Sequence, residues 1–326
     1  MSQPVHVDVI GAPMGLGGRR VGAKLGPSAL RVAEIIGQMR SLGVDIRDLG
    51  DVVPPKGDEP VDPGEGIRFF NQVLAELKSV RQKTFDSLSE GHIPLVLGGD
   101  HSVAIATISA CSEKFDGELG VLWIDAHADL NTPDTSPSLN LHGMPLGLLC
   151  GFEDKGASEI TRQQWQTLRE SMIPRHHLDF NHCFWFGLRE VDHGEAARIN
   201  EHGRSQALTM HDIDRYGVPH LVDRVFDTLA AANVKQVWIS FDVDVLDPFI
   251  APGVGTGVRG GLTYREAHIF AEMIAERIWD HRGINLAGVE ICEVNPLLDR
   301  TNETALIAAE WTVSLFGKRI LPSRNA

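Results

Sequence analysis

The feature that most constrains the fold of this chain is an alternation of short apolar segments with longer amphipathic ones, almost from end to end. Most of the short segments are continuously apolar and rich in Val, Ile, Leu and Phe, which is typical of strands buried on both faces. The strand candidates lie at residues 5–10, 44–49, 94–97, 119–124, 184–187, 236–241 and 286–291.

The longer segments repeat their apolar residues at helical spacing and separate the strand candidates. The helix candidates lie at residues 27–42, 67–88, 159–171, 221–232, 264–278 and 304–316. Strands that alternate with helices predict an α/β fold in which a mainly parallel sheet is covered by helices on both faces. Since no internal repeat, low-complexity tract or linker interrupts the pattern, we expect a single domain over residues 1–326.

Composition narrows the possible partners. Lys and Arg number 30 and Asp and Glu number 44, which gives a net charge of −14. This charge disfavours nucleic acid and anionic membranes and mildly favours a cationic small substrate, although ordinary solubility explains it more simply. The four cysteines form no CxxC pair, no stretch is as apolar as a membrane helix, and the N-terminus does not resemble a signal peptide. We therefore expect a reduced, cytoplasmic protein.

Three of the strand candidates are followed at once by side chains of the types that bind metals. They are His101 after the strand at 94–97, Asp125, His127 and Asp129 after 119–124, and Asp242 and Asp244 after 236–241. Residues i, i+2 and i+4 of an extended chain project from one face, and ligands bind parallel sheets at the carboxyl ends of the strands. The six side chains are therefore predicted to converge on one site.

The charges of these six side chains suit a pair of divalent cations. Without cations, four clustered carboxylates would repel one another and some would protonate. Oxygen and imidazole ligands without thiolate favour manganese over structural zinc. Each motif has a simpler explanation when taken alone: an Asp-x-Asp pair at a strand end is commonly a loop cap or a single magnesium site. The joint occurrence of three motifs after three strands favours a metal centre.

Three segments resemble the metal-binding signatures of the ureohydrolase family, namely GGDHS at 98–102, DAHAD at 125–129 and SFDVDVLDP at 240–248. Four more extend the likeness over nearly the whole chain, namely IGAP at 10–13, GPSALR at 26–31, GGLTYRE at 260–266 and EVNP at 293–296. The resemblance implies a three-layer αβα fold with a parallel sheet of about eight strands. It also implies two Mn²⁺ ions per subunit and a homotrimer or hexamer.

The resemblance also implies how the ligands are shared. By position, one Mn²⁺ ion would be held by His101, Asp125, Asp129 and Asp242. The other would be held by His127, Asp125, Asp242 and Asp244. Asp125 and Asp242 would then bridge the two ions.

Within the family, the segment 131–143 resembles the loop by which arginases receive the α-carboxylate of L-arginine. The resemblance assigns Asn131, Ser138 and Asn140 to the carboxylate with Ser136 assisting, and Asp192 and Glu195 to the α-ammonium. Donors at one end and carboxylates at the other describe an α-amino acid, and a site with such groups discriminates against substrates that leave them unpaired.

Two residues depart from the arginase pattern. Leu139 stands where arginases commonly have Gly, and His193 stands where Pro is usual. The first departure bears on the backbone of the carboxylate loop. An ordinary turn-rich loop is the alternative interpretation of this Ser/Pro/Asn-rich stretch.

The implied reaction is hydrolysis of L-arginine to L-ornithine and urea, by attack of a hydroxide that bridges two Mn²⁺ ions on the guanidinium carbon. Glu293 would hold the guanidinium by charge-assisted hydrogen bonds, and Thr256 would orient the same end. Asp129 would give a proton to the departing amine. His142, expected to have a near-neutral pKa, would carry protons between the site and solvent.

Three alternatives remain open. The nearest is another ureohydrolase that acts on agmatine, a guanidino acid or a formimino amino acid. A two-metal phosphoesterase is disfavoured, because the sequence has no Gly-rich phosphate cradle beyond residues 15–18 and its charge is negative. The third is a non-enzymatic binding partner, against which the presence of all six ligands and His142 argues.

Overall fold

The centre of the protein is a sheet of parallel strands. The computed structural model describes residues 5–53, 62, 64–156, 158–173, 175–280 and 283–321. The strands are β1 (His6–Gly11), β2 (Asp45–Asp51), β3 (Ile93–Leu97), β4 (Leu119–Ile124), β5 (Cys183–Leu188), β6 (Ala207–Thr209), β7 (Gln236–Asp242) and β8 (Asn285–Cys292). Across these residues they form an eight-stranded sheet in the order β2-β1-β3-β8-β7-β4-β5-β6, and every pairing is parallel. The predicted parallel sheet is thereby confirmed.

Helices connect the strands. They are α1 (Gly26–Val32), α2 (Ile35–Ser41), α3 (Phe70–Ser89), α4 (Val103–Lys114), α5 (Pro145–Leu149), α6 (Glu159–Met172), α7 (His193–His202), α8 (Met210–Tyr216), α9 (Val218–Ala231), α10 (Tyr264–Ala275) and α11 (Glu303–Leu315). A π-helical turn at Glu276–Asp280 continues α10. Among the described helices, none combines the length and apolar character that crossing a membrane requires.

Two apolar cores, one on each face of the sheet, hold the helices in place. Along β4, Leu122 and Ile124 belong to the core that includes α9, α10 and α11. The alternate residues Val121 and Trp123 belong to the core that includes α3, α4 and α6. Since each fully buried side chain of this kind contributes roughly 1.5–3 kcal/mol, the central strands are fixed from both sides.

The prediction of one continuous helix over residues 27–42 is wrong. The structure has two helices there, α1 and α2, separated by Ala33 and Glu34. Glu34 has a φ of 59°, in the left-handed region, which ends one helix and lets the next begin in a new direction. No proline or glycine marks this break in the sequence.

The strand order explains where the site forms. β3, β8, β7 and β4 are neighbours in the middle of the sheet. Because all four run in the same direction, their carboxyl ends lie at one edge. The predicted metal-binding motifs lie at the ends of β3, β7 and β4, and Glu293 directly follows β8.

Candidate metal centre

The first group of candidate ligands surrounds His101, which lies between β3 and α4. The residue is 1% exposed, and its Nδ1 lies 3.1 Å from Asp125 Oδ2, 3.1 Å from Asp129 Oδ2 and 3.0 Å from Asp242 Oδ2. Nδ1 nevertheless has no hydrogen-bond partner among the described residues. Buried polar atoms are normally paired, and this nitrogen with three carboxylate oxygens matches the donor set of a divalent cation such as Mn²⁺.

The second group surrounds His127. Its Nδ1 lies 3.3 Å from Asp125 Oδ1 and 3.0 Å from Asp244 Oδ2. The candidate ligand atoms of Asp125, His127 and Asp244 all lie within 4.8 Å of one another. Asp125 thus directs one carboxylate oxygen to each histidine, so that the two groups share it.

Asp242 lies on the side of His101. Its Oδ2 faces the His101 ring, and its Oδ1 accepts a hydrogen bond of 2.8 Å from the backbone N–H of Asp244. The structure therefore brings all six predicted ligands together, with Asp129 and Asp242 in the first group. Bridging by Asp242 stays a prediction.

Neighbouring side chains hold the ligands in orientation. The Trp123 ring is stacked on His101 with ring centroids 4.1 Å apart, and its Nε1 donates to Asp125 Oδ2 at 3.0 Å. Thr256 Oγ1 donates to Asp244 Oδ2 at 2.9 Å. Hydrogen bonds of this kind around metal ligands fix both their rotamers and their charge distribution.

Arg189 supports the turn that carries Asp244, and the sequence analysis did not identify it. Its guanidinium donates hydrogen bonds to the backbone carbonyl oxygens of Gly187, Asp244, Val245, Leu246 and Val258. A guanidinium has five N–H donors and stays charged at any pH that a protein tolerates. Arg189 therefore fixes the turn at Val243–Val245 and leaves a permanent positive charge beneath the carboxylates.

Three residues of the candidate site adopt left-handed backbone conformations without being glycine. Asp129 has a φ of 49°, Leu139 of 59° and Glu293 of 64°. This conformation costs an L-residue roughly 1–2 kcal/mol. Such local strain tends to occur at functional positions, where the surrounding structure enforces it.

The electrostatics of the site follow from burial and from the shared charges. Burial raises the pKa of Asp125, but the hydrogen bonds and charges of His101 and His127 outweigh it and hold that pKa well below its usual range. Burial, and then the charge of Asp125, raises the pKa of Asp129 to about 6. Burial and the charge of Asp244 raise the pKa of Asp242 well above its usual range. The four carboxylates thus need cations nearby to ionise together.

A cavity of about 530 Å³ leads from the surface to the two groups. Its lining includes four of the candidate ligands, His127, Asp129, Asp242 and Asp244. It also includes seven of the other predicted site residues, namely Asn131, Ser136, Ser138, His142, Asp192, Glu195 and Thr256. Asn140 is not part of the lining, and its N–H donates to Ser138 Oγ at 3.2 Å.

The serines of the predicted carboxylate loop are oriented by the loop's own backbone. Ser136 Oγ accepts from the N–H of Leu139 at 3.0 Å, and Ser138 Oγ accepts from the N–H of Asn140. The carbonyl of Leu139 in turn accepts from the N–H of Arg68 at 3.0 Å. Since a hydroxyl that accepts a hydrogen bond keeps its own hydrogen, both serines have a donor left for a ligand in the cavity.

Glu195 and Asp192 connect the site to the start of α7. Glu195 Oε2 accepts from the N–H of Asp192 at 2.8 Å, and Oε1 accepts from the N–H of Leu130 at 2.9 Å. Burial raises the pKa of Glu195 to about 8. Asn131 donates to Asp192 Oδ2 at 3.0 Å, while its buried Oδ1 has no partner among the described residues. The Glu195 carboxyl therefore fixes the backbone beside Asp129 in addition to lining the cavity.

His142 and Glu293 are in direct contact within the site. His142 Nδ1 lies 3.1 Å from Glu293 Oε1, which also accepts from the N–H of His101 at 2.9 Å. Burial lowers the pKa of His142, but Glu293 outweighs it, and the pKa is raised to about 9. The near-neutral pKa expected from the sequence is therefore wrong for this arrangement, because the buried carboxylate stabilises the imidazolium.

The second oxygen of Glu293 is directed differently. It accepts no hydrogen bond from the described residues, and a Cβ added at Gly255 would lie 3.8 Å from it. Gly255 lines the cavity, whereas Glu293, which is 4% exposed, is not part of the lining.

Three charged residues of the cavity were missed by the sequence analysis, namely Arg19, Arg20 and Glu190. All three are exposed, and the two arginines form no ion pair with any described residue. Periodicity and motif spacing carry no signal for exposed side chains of this kind. Their positions beside the glycines of 15–18 and beside Arg189 would have been the only pointers.

The chain is similar to known proteins in sequence and in fold. The model of the arginase family matches residues 5–317. Arginase from Bacillus subtilis (strain 168) is 40% identical over 315 residues, which cover 97% of this chain and 99% of that protein. A crystal structure of arginase from Bacillus subtilis has a TM-score of 0.84 and covers 97% of this chain and 100% of that one. The structure of formimidoylglutamase from Bacillus subtilis is more distant, with 25% identity, a TM-score of 0.71, and coverage of 97% of this chain and 87% of that one.

Proposed function

Because the chain belongs to the arginase family, we propose that it hydrolyses L-arginine to L-ornithine and urea. The observation that carries the proposal is Asp125, which directs one oxygen to His101 and the other to His127 beside the cavity. This arrangement suits two cations that share one carboxylate. Attack of water on a guanidinium needs such a site, because the planar cation is a poor electrophile.

Two Mn²⁺ ions are the proposed cofactors. The residues that would hold them are His101, Asp125, His127, Asp129, Asp242 and Asp244, with Asp125 and Asp242 shared. When bound, two such cations lower the pKa of water towards about 7 and thereby supply a nucleophile at neutral pH. The unpaired Nδ1 of His101 and the absence of thiolates in both groups support manganese.

The guanidinium end of the substrate is assigned to Glu293. Its Oε2 lies near Gly255, which lines the cavity, and would be available for a charge-assisted hydrogen bond with the guanidinium. Thr256, held by Asp244, would orient the same end. Asp129, which lines the cavity, would give a proton to the departing amine, and His142 would exchange protons with solvent.

The amino-acid end of the substrate is assigned to the opposite set of polar residues. Asn131, Ser138 and Asn140 would bind the α-carboxylate with help from Ser136, and Asp192 and Glu195 would face the α-ammonium. The free hydroxyl hydrogens of the two serines support this assignment. Asn140 is the weakest member, because its side chain does not line the cavity.

The decisive experiment compares substrates. The purified full-length protein, loaded with Mn²⁺, is assayed for urea release from L-arginine and agmatine in parallel, with ornithine measured in the first reaction. We expect a strong preference for L-arginine and equal amounts of urea and ornithine. Preference for agmatine would refute the assignment of the carboxylate loop, and turnover of neither would refute the proposed reaction.

The role of His142 is tested separately. We expect His142→Ala to lower kcat by about 10²-fold, because general acid–base groups contribute at least this much, while two Mn²⁺ ions remain bound. Added imidazole should restore part of the activity. Full turnover of the variant across the pH range would exclude a proton-transfer role.

The family also suggests how the protein is assembled and where it acts. We propose a single domain over residues 1–326, a homotrimer or hexamer, and a cytoplasmic location. The four cysteines, which form no disulfide, support a reducing compartment. Light scattering of the purified protein tests the assembly, and a monomer in solution would contradict it.

A further inference from the structure

The second ring nitrogen of His101, Nε2, points away from the carboxylates and makes a contact that the proposed reaction does not use. His101 Nε2 lies 2.8 Å from Ser240 Oγ, and both residues are buried. Ser240 lies on β7, in the middle of the sheet. Stacking on Trp123 fixes the plane of the ring, with 8° between the two ring planes. The hydrogen bond to Ser240 then fixes which ring nitrogen faces the carboxylates.

Glu290 lies behind Ser240. The two residues are directly paired across β7 and β8, and Glu290 is 0% exposed. Its Oε2 accepts from the hydroxyl of Thr107, while its Oε1 has no partner among the described residues. A buried carboxyl with a spare acceptor thus lies beside a serine hydroxyl.

The number of hydrogens determines the direction of these bonds. A serine hydroxyl has one hydrogen. When Ser240 donates it to Glu290, Ser240 Oγ can bond to His101 only by accepting, so His101 must carry its proton on Nε2. The lone pair of Nδ1 then faces Asp125, Asp129 and Asp242. This is the tautomer in which Nδ1 can bind a metal ion.

We propose that Ser240 and Glu290 are positioning residues, which hold His101 in the Nε2–H tautomer and thereby strengthen cation binding at its Nδ1. The inference rests on the proposed function, because it takes His101 as a metal ligand. A ring nitrogen of His101, an oxygen of Glu290 and Cys292 Sγ also lie within 4.8 Å of one another, as in a metal site. The bond from Nε2 to Ser240 favours the positioning role over a third cation there.

Among the described residues, the second candidate histidine ligand, His127, has no equivalent support. His127 Nε2 lies 3.7 Å from Glu190 Oε2, and the Glu190 side chain is 67% exposed. Loss of Ser240 should therefore weaken one of the two bound cations and leave the other unchanged. A general loss of stability would not produce this asymmetry.

The experiment is a calorimetric titration of the metal-stripped, full-length protein with Mn²⁺. The variants are Ser240→Ala and Glu290→Gln, and the matched control is Ser314→Ala. Ser314 Oγ lies 3.0 Å from His268 Nδ1, which makes a second buried Ser–His hydrogen bond of similar length between α10 and α11. Circular dichroism and thermal unfolding in chelator establish that each variant is folded.

We expect Ser240→Ala to lower the affinity of one Mn²⁺ ion about 10- to 100-fold, the usual effect of losing such a partner. Glu290→Gln should weaken the same ion, and Ser314→Ala should bind both ions as the unaltered protein does. Unchanged affinities in Ser240→Ala would overturn the inference. So would loss of one ion in Glu290→Gln alone, since that result would make Glu290 a ligand.

Failure of the proposed function would look different. The unaltered protein would then bind fewer than two Mn²⁺ ions or release no urea from L-arginine. Unaltered protein that binds two ions and turns over L-arginine, together with a Ser240→Ala variant of normal affinity, refutes the positioning role alone.

Discussion

Leu139 is held in a backbone conformation that glycine adopts without steric cost. Its φ is 59°, and hydrogen bonds on its N–H and carbonyl tie it to Ser136 and to Arg68. From the sequence, a leucine in place of the usual glycine is expected to bear on the backbone of this loop. The structure keeps the left-handed conformation, so the surrounding hydrogen bonds enforce it against a cost of roughly 1–2 kcal/mol.

This strain leads to a first prediction. Leu139→Ile conserves volume, but branching at Cβ makes the left-handed conformation still less favourable, by about 1 kcal/mol. We expect the KM for L-arginine to rise roughly fivefold, with a smaller change for agmatine, which has no carboxylate. In Leu139→Gly the KM should stay within about twofold, because glycine accepts this φ. Equal KM values in the Ile and Gly variants would show that the conformation of this residue does not matter for binding.

Glu76 on α3 provides a test of pH dependence. Burial, and then the charge of Asp100, raises its pKa to about 7 from an ordinary value of 4.5, and its Oε2 is buried without a partner among the described residues. A carboxyl whose pKa is raised by folding favours the native state while it is protonated. Its contribution is therefore complete below about pH 4.5 and is lost as the pH rises through about 7.

The second prediction follows from the direction in which the Glu76 carboxyl changes stability with pH. Between pH 5 and pH 8, Glu76→Gln should gain stability relative to the unaltered protein by about 2 kcal/mol, after allowance for partial exposure. Urea unfolding at several pH values, with chelator present throughout, measures the difference. A difference that does not depend on pH would mean that Glu76 has an ordinary pKa.

Residues of the site could be predicted from the sequence where they belong to a recognisable motif. The six candidate ligands lie in three short strings of fixed spacing, so they were identified from the sequence. Arg189 was missed because its role is to bind backbone carbonyls, which leave no mark on sequence. Ser240 and Glu290 read simply as strand residues, since only the register of β7 and β8 brings them together.

The packing of two loops against each other explains the glycine at position 99, two residues before His101. A Cβ added at Gly99 would lie 1.8 Å from the carbonyl oxygen of Met14, in the loop after β1. The backbone of the two loops is therefore in direct contact, and the hydrogen bond from the N–H of Asp100 to the same carbonyl fixes the approach at 3.1 Å.

The third prediction concerns this contact. Gly99→Ala should lower the free energy of unfolding by about 3 kcal/mol or more, because backbone cannot move aside as a side chain can, and it should also weaken Mn²⁺ binding through His101. The matched control is Gly283→Ala, where an added Cβ would meet nothing within 4 Å. Chemical denaturation of both variants tests this, and similar stabilities would contradict it.

The elements that were predicted and those that were missed differ in their patterns. Seven strands were identified, most of them because they are apolar runs of adequate length, whereas β6 has three residues. Helix α4 was missed because ten of its twelve residues are buried, so it has no polar face and no amphipathic period. Short helices such as α5 and α8 are positioned by tertiary contacts and leave little periodic signal.

For the molecule as a whole, the stability of the fold depends on whether cations occupy the metal centre. Four buried carboxylates destabilise the fold when no cation accompanies them, and bound cations reverse this. Ligands that bind only the native state stabilise it by about 4 kcal/mol for each site at a concentration 1,000 times Kd.

The fourth prediction follows. Mn²⁺ in excess over chelator should raise the free energy of unfolding of the unaltered protein by several kcal/mol. Asp125→Asn should lose most of this gain, because the shared residue serves both groups. Urea unfolding with and without Mn²⁺ measures the effect. An equal gain in the variant would mean that the cations bind elsewhere.

The position of β8 in the sheet has a consequence for the newly made chain. This strand is the last of the eight along the described chain, yet it pairs with β3 on one side and β7 on the other. During synthesis, β2-β1-β3 and β7-β4-β5-β6 can each pair, but the edges of β3 and β7 stay open until residue 292 has left the ribosome. Open strand edges are where nascent chains pair wrongly with one another. Glu293, the residue assigned to the guanidinium, directly follows β8, so the sheet and the binding site are completed together once β8 has been made.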